Sequence, residues 1–342
     1  MQFLKSIKSR KRPRLHLPPI RKNGTPPGSW AQSDAEKVEL FARHLAEVLS
    51  PHDNALDQEI ENNLAANSTD SEKLNAFTTN DLINVLNKLH PLKAPGHDRI
   101  TALMIQKLPP KGIQTLMHIY NSIIRSNYWP VTLKQAKVIM VPKPGKDPND
   151  VSSYRPISLL PVLSKILEKL ILIKLTNEPN SMNWIPWHKF GFRKSHSTIQ
   201  QCHRLEDTIN KALEDKNYCP AVFLDVSQAF DKVWHRGLML KILQTLPTKY
   251  FGILQSHLQC RYLTITCNNG TFSPIPMLSG VPQGSILGPI LYTLYTADIP
   301  QSPLTTLSTY ADDTAIFSTH HNPDTATSFT FTFTFILSLS GH

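Results

Sequence analysis

The chain has 342 residues, enough for one large domain or two ordinary ones. Hydrophobic residues make up 40% and charged residues 18%, a balance that excludes a disordered chain and supports a packed core. The formal net charge of +10 favours a polyanionic partner, nucleic acid or an anionic membrane surface, and charge alone does not choose between them.

Residues 1–32 form a Pro-rich basic arm. Eight Lys and Arg fall between Lys5 and Lys22 with no acid among them, a composition that suits either a solvated disordered tail or a segment that touches phosphates or serves as a nuclear address. The N-terminus lacks a sustained apolar core, so no secretory leader is expected. Residues 33–90 read as a helical extension. Ser33 and Glu36 make a capping box, and Phe41, Leu45, Val48 and Leu49 follow at helical spacing. Residues 50–72 are polar and read as a linker. A second helix carries Leu82, Val85, Leu86 and Leu89 on one face.

Pro-Gly punctuation in "HPLKAPGHDRI" (90–100) marks a shaped loop, with helices expected over 98–108 and 111–127. "AKVIMVPK" (136–143) reads as a strand. The loop 144–156 then carries Lys146 and Arg155, with Lys143 beside it, and a helix is expected over 157–175. That segment is interrupted by Ser164, Lys165, Glu168 and Lys169, so it reads as amphipathic, and no run of about 18 apolar residues exists to span a membrane. A helix is expected over 197–215. "CPAVFLDV" (219–226) reads as a buried strand ending in an acid, followed by a helix over 228–246. "RYLTITCNNGTFSPI" (261–275) signals a hairpin, "GVPQGSILGPILYTLYTADI" (280–299) a Gly/Pro loop entering an apolar helix, and "STYADDTAIF" (308–317) a second hairpin. This order predicts an α+β fold with an antiparallel sheet. The chain has no GxGxxG or GxxxxGK[ST] phosphate loop. Cys202, Cys219, Cys260 and Cys267 form no zinc-like spacing and read as free thiols in a reducing, intracellular compartment.

Asp225 ends an apolar strand, and Asp312 and Asp313 sit at the tip of an apolar hairpin. Acids are locally unfavourable in both places, which marks candidate functional sites. The pair suits either a surface turn or, if the two elements are neighbours in one sheet, a carboxylate site for divalent ions. Spacing alone leaves both open.

"FLDVSQAFDKVWH" (223–235), "GVPQGSILGPILY" (280–292) and "YADD" (310–313), in that order, resemble the palm motifs of reverse transcriptases. "LKAPGHDRI" (92–100), the stretch 138–171 and "HKFGFRKSHST" (188–198) resemble the finger motifs of non-LTR retrotransposon enzymes, and residues 26–53 resemble the segment that precedes the polymerase in jockey-like elements.

The resemblance implies a right-hand polymerase with fingers and palm, acting as an RNA-directed DNA polymerase. It implies two Mg²⁺ ions, with Mn²⁺ as a substitute, held by Asp225, Asp312 and Asp313. It places Lys143 and Arg155 on the incoming triphosphate, with Lys146 able to exchange roles with Lys143. Phe230 would screen the sugar 2′ position, and Gln283 and Gly284 would line the nucleotide pocket. Lys93, Arg193 and Lys194 are candidate nucleic-acid contacts. The implied partners are an RNA template, a DNA primer and dNTP, with no membrane, no obligate protein partner and a nuclear or cytoplasmic site.

The reverse transcriptase domain is expected over 91–318. Residues 319–342 form an atypical Thr/Phe tail that alternates like a strand. No primer-grip hairpin, helical thumb or upstream endonuclease is recognisable, so a truncated element is expected, its thumb missing. The alternative is a catalytically inactive nucleic-acid-binding remnant.

Overall fold

The structure is a computed structural model that describes residues 17–22, 29–50, 57–67, 72–179, 184–193, 196–268 and 270–339. Most of the basic arm, Lys194 and Asn269 lie outside the described residues.

A short antiparallel pair, β1 (Ile20–Arg21) and β2 (Trp30–Ala31), leads into α1 (Asp34–Val48). The expected capping box is present, Ser33 accepting from the Glu36 amide while Glu36 accepts from Ser33. Lys22, followed by these amides, holds the Glu36 carboxyl down at about 2. Next comes α2 (Asp57–Asn67), where a linker was expected. Its own apolar stripe is weak, and contacts from far along the chain secure it. Asp57 accepts from the Trp234 indole at 3.0 Å and pairs with Arg236 at 2.7 Å, and Glu61 pairs with Arg236 at 3.3 Å.

Helices α3 (Thr79–Asn87), α4 (Ala102–Gln106), α5 (Pro110–Ser126) and α6 (Val131–Lys134) precede strand β3 (Ala136–Pro142). The segment expected to begin a helix at 157 is instead strand β4 (Tyr154–Leu159), paired antiparallel to β3 with Val141 opposite Arg155. Tyr154 and Ser158 are buried and Arg155 and Ile157 exposed, the alternation of a half-buried strand. Pro156 is tolerated because β4 is an edge strand. Helix α7 (Val162–Thr176) starts only after Pro161.

Helix α8 (Thr198–Glu214) leads to β5 (Ala221–Leu224), then α9 (His235–Thr245) and α10 (Phe251–Leu258). The helix expected from 228 begins at His235, because 227–232 is taken up by turns that leave Gln228 at φ 59°. Strands β6 (Arg261–Cys267), β7 (Gly270–Thr271) and β8 (Ile275–Met277) complete a sheet ordered β4-β3-β6-β7, with β8 also on β6. Its β3–β6 pair is parallel, a departure from the antiparallel expectation that the long helical connection between the two strands allows. Helix α11 (Gly288–Tyr295) is followed by the hairpin β9 (Thr306–Tyr310) and β10 (Asp313–Phe317), and β10 also pairs with β5.

The final element corrects the reading of the Thr/Phe tail: α12 (Pro323–Leu339) is a helix, not a strand. Asn322 caps it by accepting from the Asp324 and Thr325 amides at 2.9 and 3.2 Å. Ala326, Thr330 and Phe333, four and three residues apart, form its buried stripe over the β5-β10-β9 sheet. The Thr330 and Thr334 hydroxyls donate back to carbonyls one turn earlier, so the helix satisfies them within itself.

The molecule has a large core among helices α3 to α5, α7 and α9 to α11, and a second beneath α1 and the five-stranded sheet. Mixed helices and sheets are therefore confirmed. Among the described residues, no helix is long and apolar enough to cross a membrane.

Candidate active site

The three aspartates come together through one ladder. Thr314 lies opposite Leu224 in the β5–β10 pair, so the next rung sets Asp313 against Asp225. Asp313 also faces Tyr310 across the hairpin, which leaves Ala311 and Asp312 as its turn. Ala311 takes φ 57°, a left-handed conformation that costs an L-residue on the order of 1 kcal/mol. The turn is clamped from one side by the segment before α8. A Cβ on Gly191 would come within 2.1 Å of the Ala311 nitrogen, so only glycine fits there.

Asp225 and Asp313 are exposed and Asp312 is half-buried. The strand that carries Asp225 is less enclosed than its apolar sequence suggested: β5 is the sheet's edge and Phe223 is 70% exposed. The Asp313 carboxyl is pushed upward by burial, then by the negative charges of Asp312 and Asp225. None of the three accepts a hydrogen bond from a described residue. Hard oxygen donors that repel one another and lack donor partners fit a divalent cation. As they stand, no three acidic, His or Cys side chains among the described residues form a closed metal-holding group.

Aromatic rings flank this end of the sheet. Phe230 stacks on Tyr292 with centroids 4.4 Å apart and planes 22° from parallel. The Tyr292 hydroxyl is pushed upward by burial and by the Asp312 charge, which places it near that carboxylate. Phe192, 52% exposed and at φ 61°, sets its ring edge-on to Phe230 at 5.8 Å.

Gln283 is anchored. Its side-chain amide donates to both oxygens of Asp231 at 3.0 and 2.8 Å, and its backbone carbonyl accepts from the Ser158 amide at 2.9 Å. Burial pushes the Asp231 carboxyl up to about 6, against the Gln283 hydrogen bonds and the Lys143 charge. Lys143 therefore lies near this pair, and its ammonium also donates to the Ser152 carbonyl at 2.9 Å. Gly284 sits at φ 119°, and a Cβ there would meet the Ser158 carbonyl oxygen at 2.5 Å. It thus packs closely on strand β4. Arg155 is exposed on that same strand and forms no ion pair among the described residues.

Other expected residues lie apart from these groups or are fixed by their own contacts. Lys146 is exposed in the loop after Lys143. Lys93 is exposed and lies near Lys165 of α7, whose ammonium its charge helps push down. Arg193 reaches the Pro186 carbonyl at 3.4 Å.

Asp231, Tyr292 and Glu168 were not foreseen. Glu168 of α7 is fully buried and accepts from the Ser285 hydroxyl at 2.7 Å, the Ile286 amide and the Leu287 amide at 3.3 Å, with the His257 ring 3.4 Å away. Burial alone would raise its carboxyl, but these donors and the Arg261 charge hold it low. It pins the loop that carries Gln283.

Residues 141–337 match the family described as reverse transcriptase (RNA-dependent DNA polymerase). The chain belongs to that family. It is 38% identical over 297 residues to the "Probable RNA-directed DNA polymerase from transposon X-element" of Drosophila melanogaster, covering 84% of this chain and 33% of that protein. It is 39% identical over 304 residues to the "RNA-directed DNA polymerase from mobile element jockey" of the same fly, covering 86% and 33%. The chain thus spans about a third of the length of these relatives, which places it among non-LTR, jockey-like retrotransposon sequences.

Proposed function

We propose that this chain carries the catalytic part of an RNA-directed DNA polymerase, which joins a deoxynucleotide to the 3′-hydroxyl of a DNA primer on an RNA template. The observation that supports this most is the ladder that sets Asp313 against Asp225 beside Asp312. Asp225, Asp312 and Asp313 would hold two Mg²⁺ or Mn²⁺ ions, which would activate the attacking hydroxyl and stabilise the leaving phosphate oxygen.

The other residues bind and orient. Arg155 offers a planar fork of donors to the triphosphate, and Lys143 a point charge beside it. The Phe230 ring, braced by Tyr292 and Phe192, forms a wall against a ribose 2′-hydroxyl. Asp231 occupies the Gln283 amide nitrogen, leaving the amide oxygen as the acceptor for substrate. Gly284 lets the loop close onto β4, which ties Gln283 to the strand that carries Arg155. Lys93, Arg193 and Lys194 serve the nucleic-acid backbone.

Primer extension on an RNA template tests this. Template-dependent addition is expected from the purified chain, and Asp312→Asn is expected to reduce it to background. Addition unchanged by Asp312→Asn overturns the reading. A second reading, an inactive remnant that binds nucleic acid by charge, is favoured by the net charge of +10. It requires no addition by the wild-type chain and binding that weakens steeply with salt.

A further inference from the structure

Trp187 is 61% exposed in a segment otherwise fastened to the carboxylate hairpin. His188 and Lys189, which follow it, are buried. Lys189 bridges in parallel to Thr309, the Phe190 amide donates to the Thr309 carbonyl at 3.1 Å, and the Thr309 hydroxyl donates to the His188 carbonyl at 3.1 Å. Gly191 closes onto Ala311. The backbone that carries the indole is therefore held along β9, with Gly191 at the Ala311 turn and Trp187 further back along the strand.

Its surroundings are cationic. The Arg204 guanidinium stands 5.0 Å from the Trp187 ring centroid and 4.6 Å from that of Phe190. The His188 ring meets the indole at 88° and 6.0 Å. Arg193 reaches back to Pro186, the residue before Trp187. Glu206, two residues beyond Arg204 on α8, is engaged by His203 at 3.4 Å. A peptide partner would call for a wider exposed apolar patch, but Ile185, Pro186 and Phe190 are half-buried, His188 and Lys189 are buried, and Arg204 is charged. A braced, exposed indole with the Arg204 guanidinium over its ring and Arg193 at the preceding residue matches an unpaired nucleobase, which stacks with ring and guanidinium while its phosphate meets the cation.

We propose that Trp187 is a stacking platform for an unpaired base of a single nucleic-acid strand running past the carboxylate hairpin, with Arg193 and Arg204 supplying charge for its phosphates. The identity of that strand as template or primer rests on the polymerase reading; the contact itself does not.

The test is fluorescence anisotropy of a short labelled single-stranded RNA bound to the full chain, in about 200 mM salt to suppress purely ionic binding. Trp187→Ala is expected to weaken binding about 5- to 100-fold, and Trp187→Phe, which keeps a π-face, to stay within about threefold of wild type. Replacing the bases with abasic sites is expected to weaken binding to the wild-type chain and to have little effect on Trp187→Ala. Equal affinity of Trp187→Ala and wild type overturns the proposal. So does a wild-type chain that binds the abasic strand as tightly as the normal one, or that binds neither. The abasic comparison on the wild-type chain decides the matter if Trp187→Ala does not fold. Primer extension by the same preparations separates the two readings. Binding as expected without nucleotide addition removes the polymerase and leaves the platform; addition with unimpaired Trp187→Ala binding does the reverse.

Discussion

The chain places acidic side chains in two contrasting settings. Glu168 is sealed inside the protein and surrounded by donors: a hydroxyl, two amides and an imidazole. Asp225, Asp312 and Asp313 stand at the open end of a small sheet, face one another and receive no donor from the described residues. A buried carboxylate that accepts several hydrogen bonds organises the polypeptide around it. Acids brought together without partners lower stability, and a fold that keeps them does so for something outside the polypeptide. The difference separates a carboxylate that serves the fold from carboxylates available to the reaction proposed above.

Substitutions can break this contrast. The largest effect is expected from Asp312→Asn, with nucleotide addition falling by at least about a hundredfold while the unfolding transition is preserved. A matching loss of stability would erase the distinction. Next is Glu168→Ala, which strips the acceptor from buried donors and is expected to destabilise by about 3–5 kcal/mol in chemical denaturation. A loss under about 1 kcal/mol would show that the network is dispensable.

Asp231 lies between the two extremes, buried yet served only by Gln283 and the nearby Lys143 charge. Its folded pKa of about 6 lies above the unfolded value, so the folded state holds the extra proton. This group's contribution is therefore most favourable at low pH and is lost as pH rises through about 6. Between pH 5 and 7, wild type should lose about 1 kcal/mol of stability relative to Asp231→Asn, read from paired denaturation curves. The opposite slope would mean that Gln283 and Lys143 outweigh burial. The smallest expected effect is a gain of about 0.2–0.5 kcal/mol in Asp313→Asn at neutral pH without divalent ions, since its repulsion from Asp225 and Asp312 is screened by solvent.

The exposed cluster of acids was legible in the sequence because its placement violates local rules: one acid closes an apolar strand and two share a hairpin tip. Their meeting was legible only as a condition, since it depends on β5 and β10 sharing a ladder. Glu168 was not legible as a buried acid. Between Lys165 and Lys169 it reads as part of a solvated face, and its loop partners Ser285 and Leu287 lie more than a hundred residues further on, with His257 89 residues away. Asp231 was overshadowed by its neighbour Phe230, and nothing local says that Gln283 will reach it. The Thr/Phe alternation misled because period two is a strand signal, and only the Asn322 cap and the back-bonded threonine hydroxyls allow a helix. The strand 154–159 was hidden by the helix that follows, and its role emerges from the loop it holds. Motif order identified the family because it survives such local ambiguity.

The pairing of β5 with β10 also has a consequence for the order of assembly. Among the described residues strand β5 pairs only with β10, so it gains its ladder only after β10, about ninety residues further along the chain, has left the ribosome. Until then Phe223 sits on an unpaired edge, and the chain is open to pairing with another copy of itself. The three aspartates cannot gather before the whole stretch from Asp225 to Asp313 exists, so this cluster closes through a long-range pairing and not through local folding.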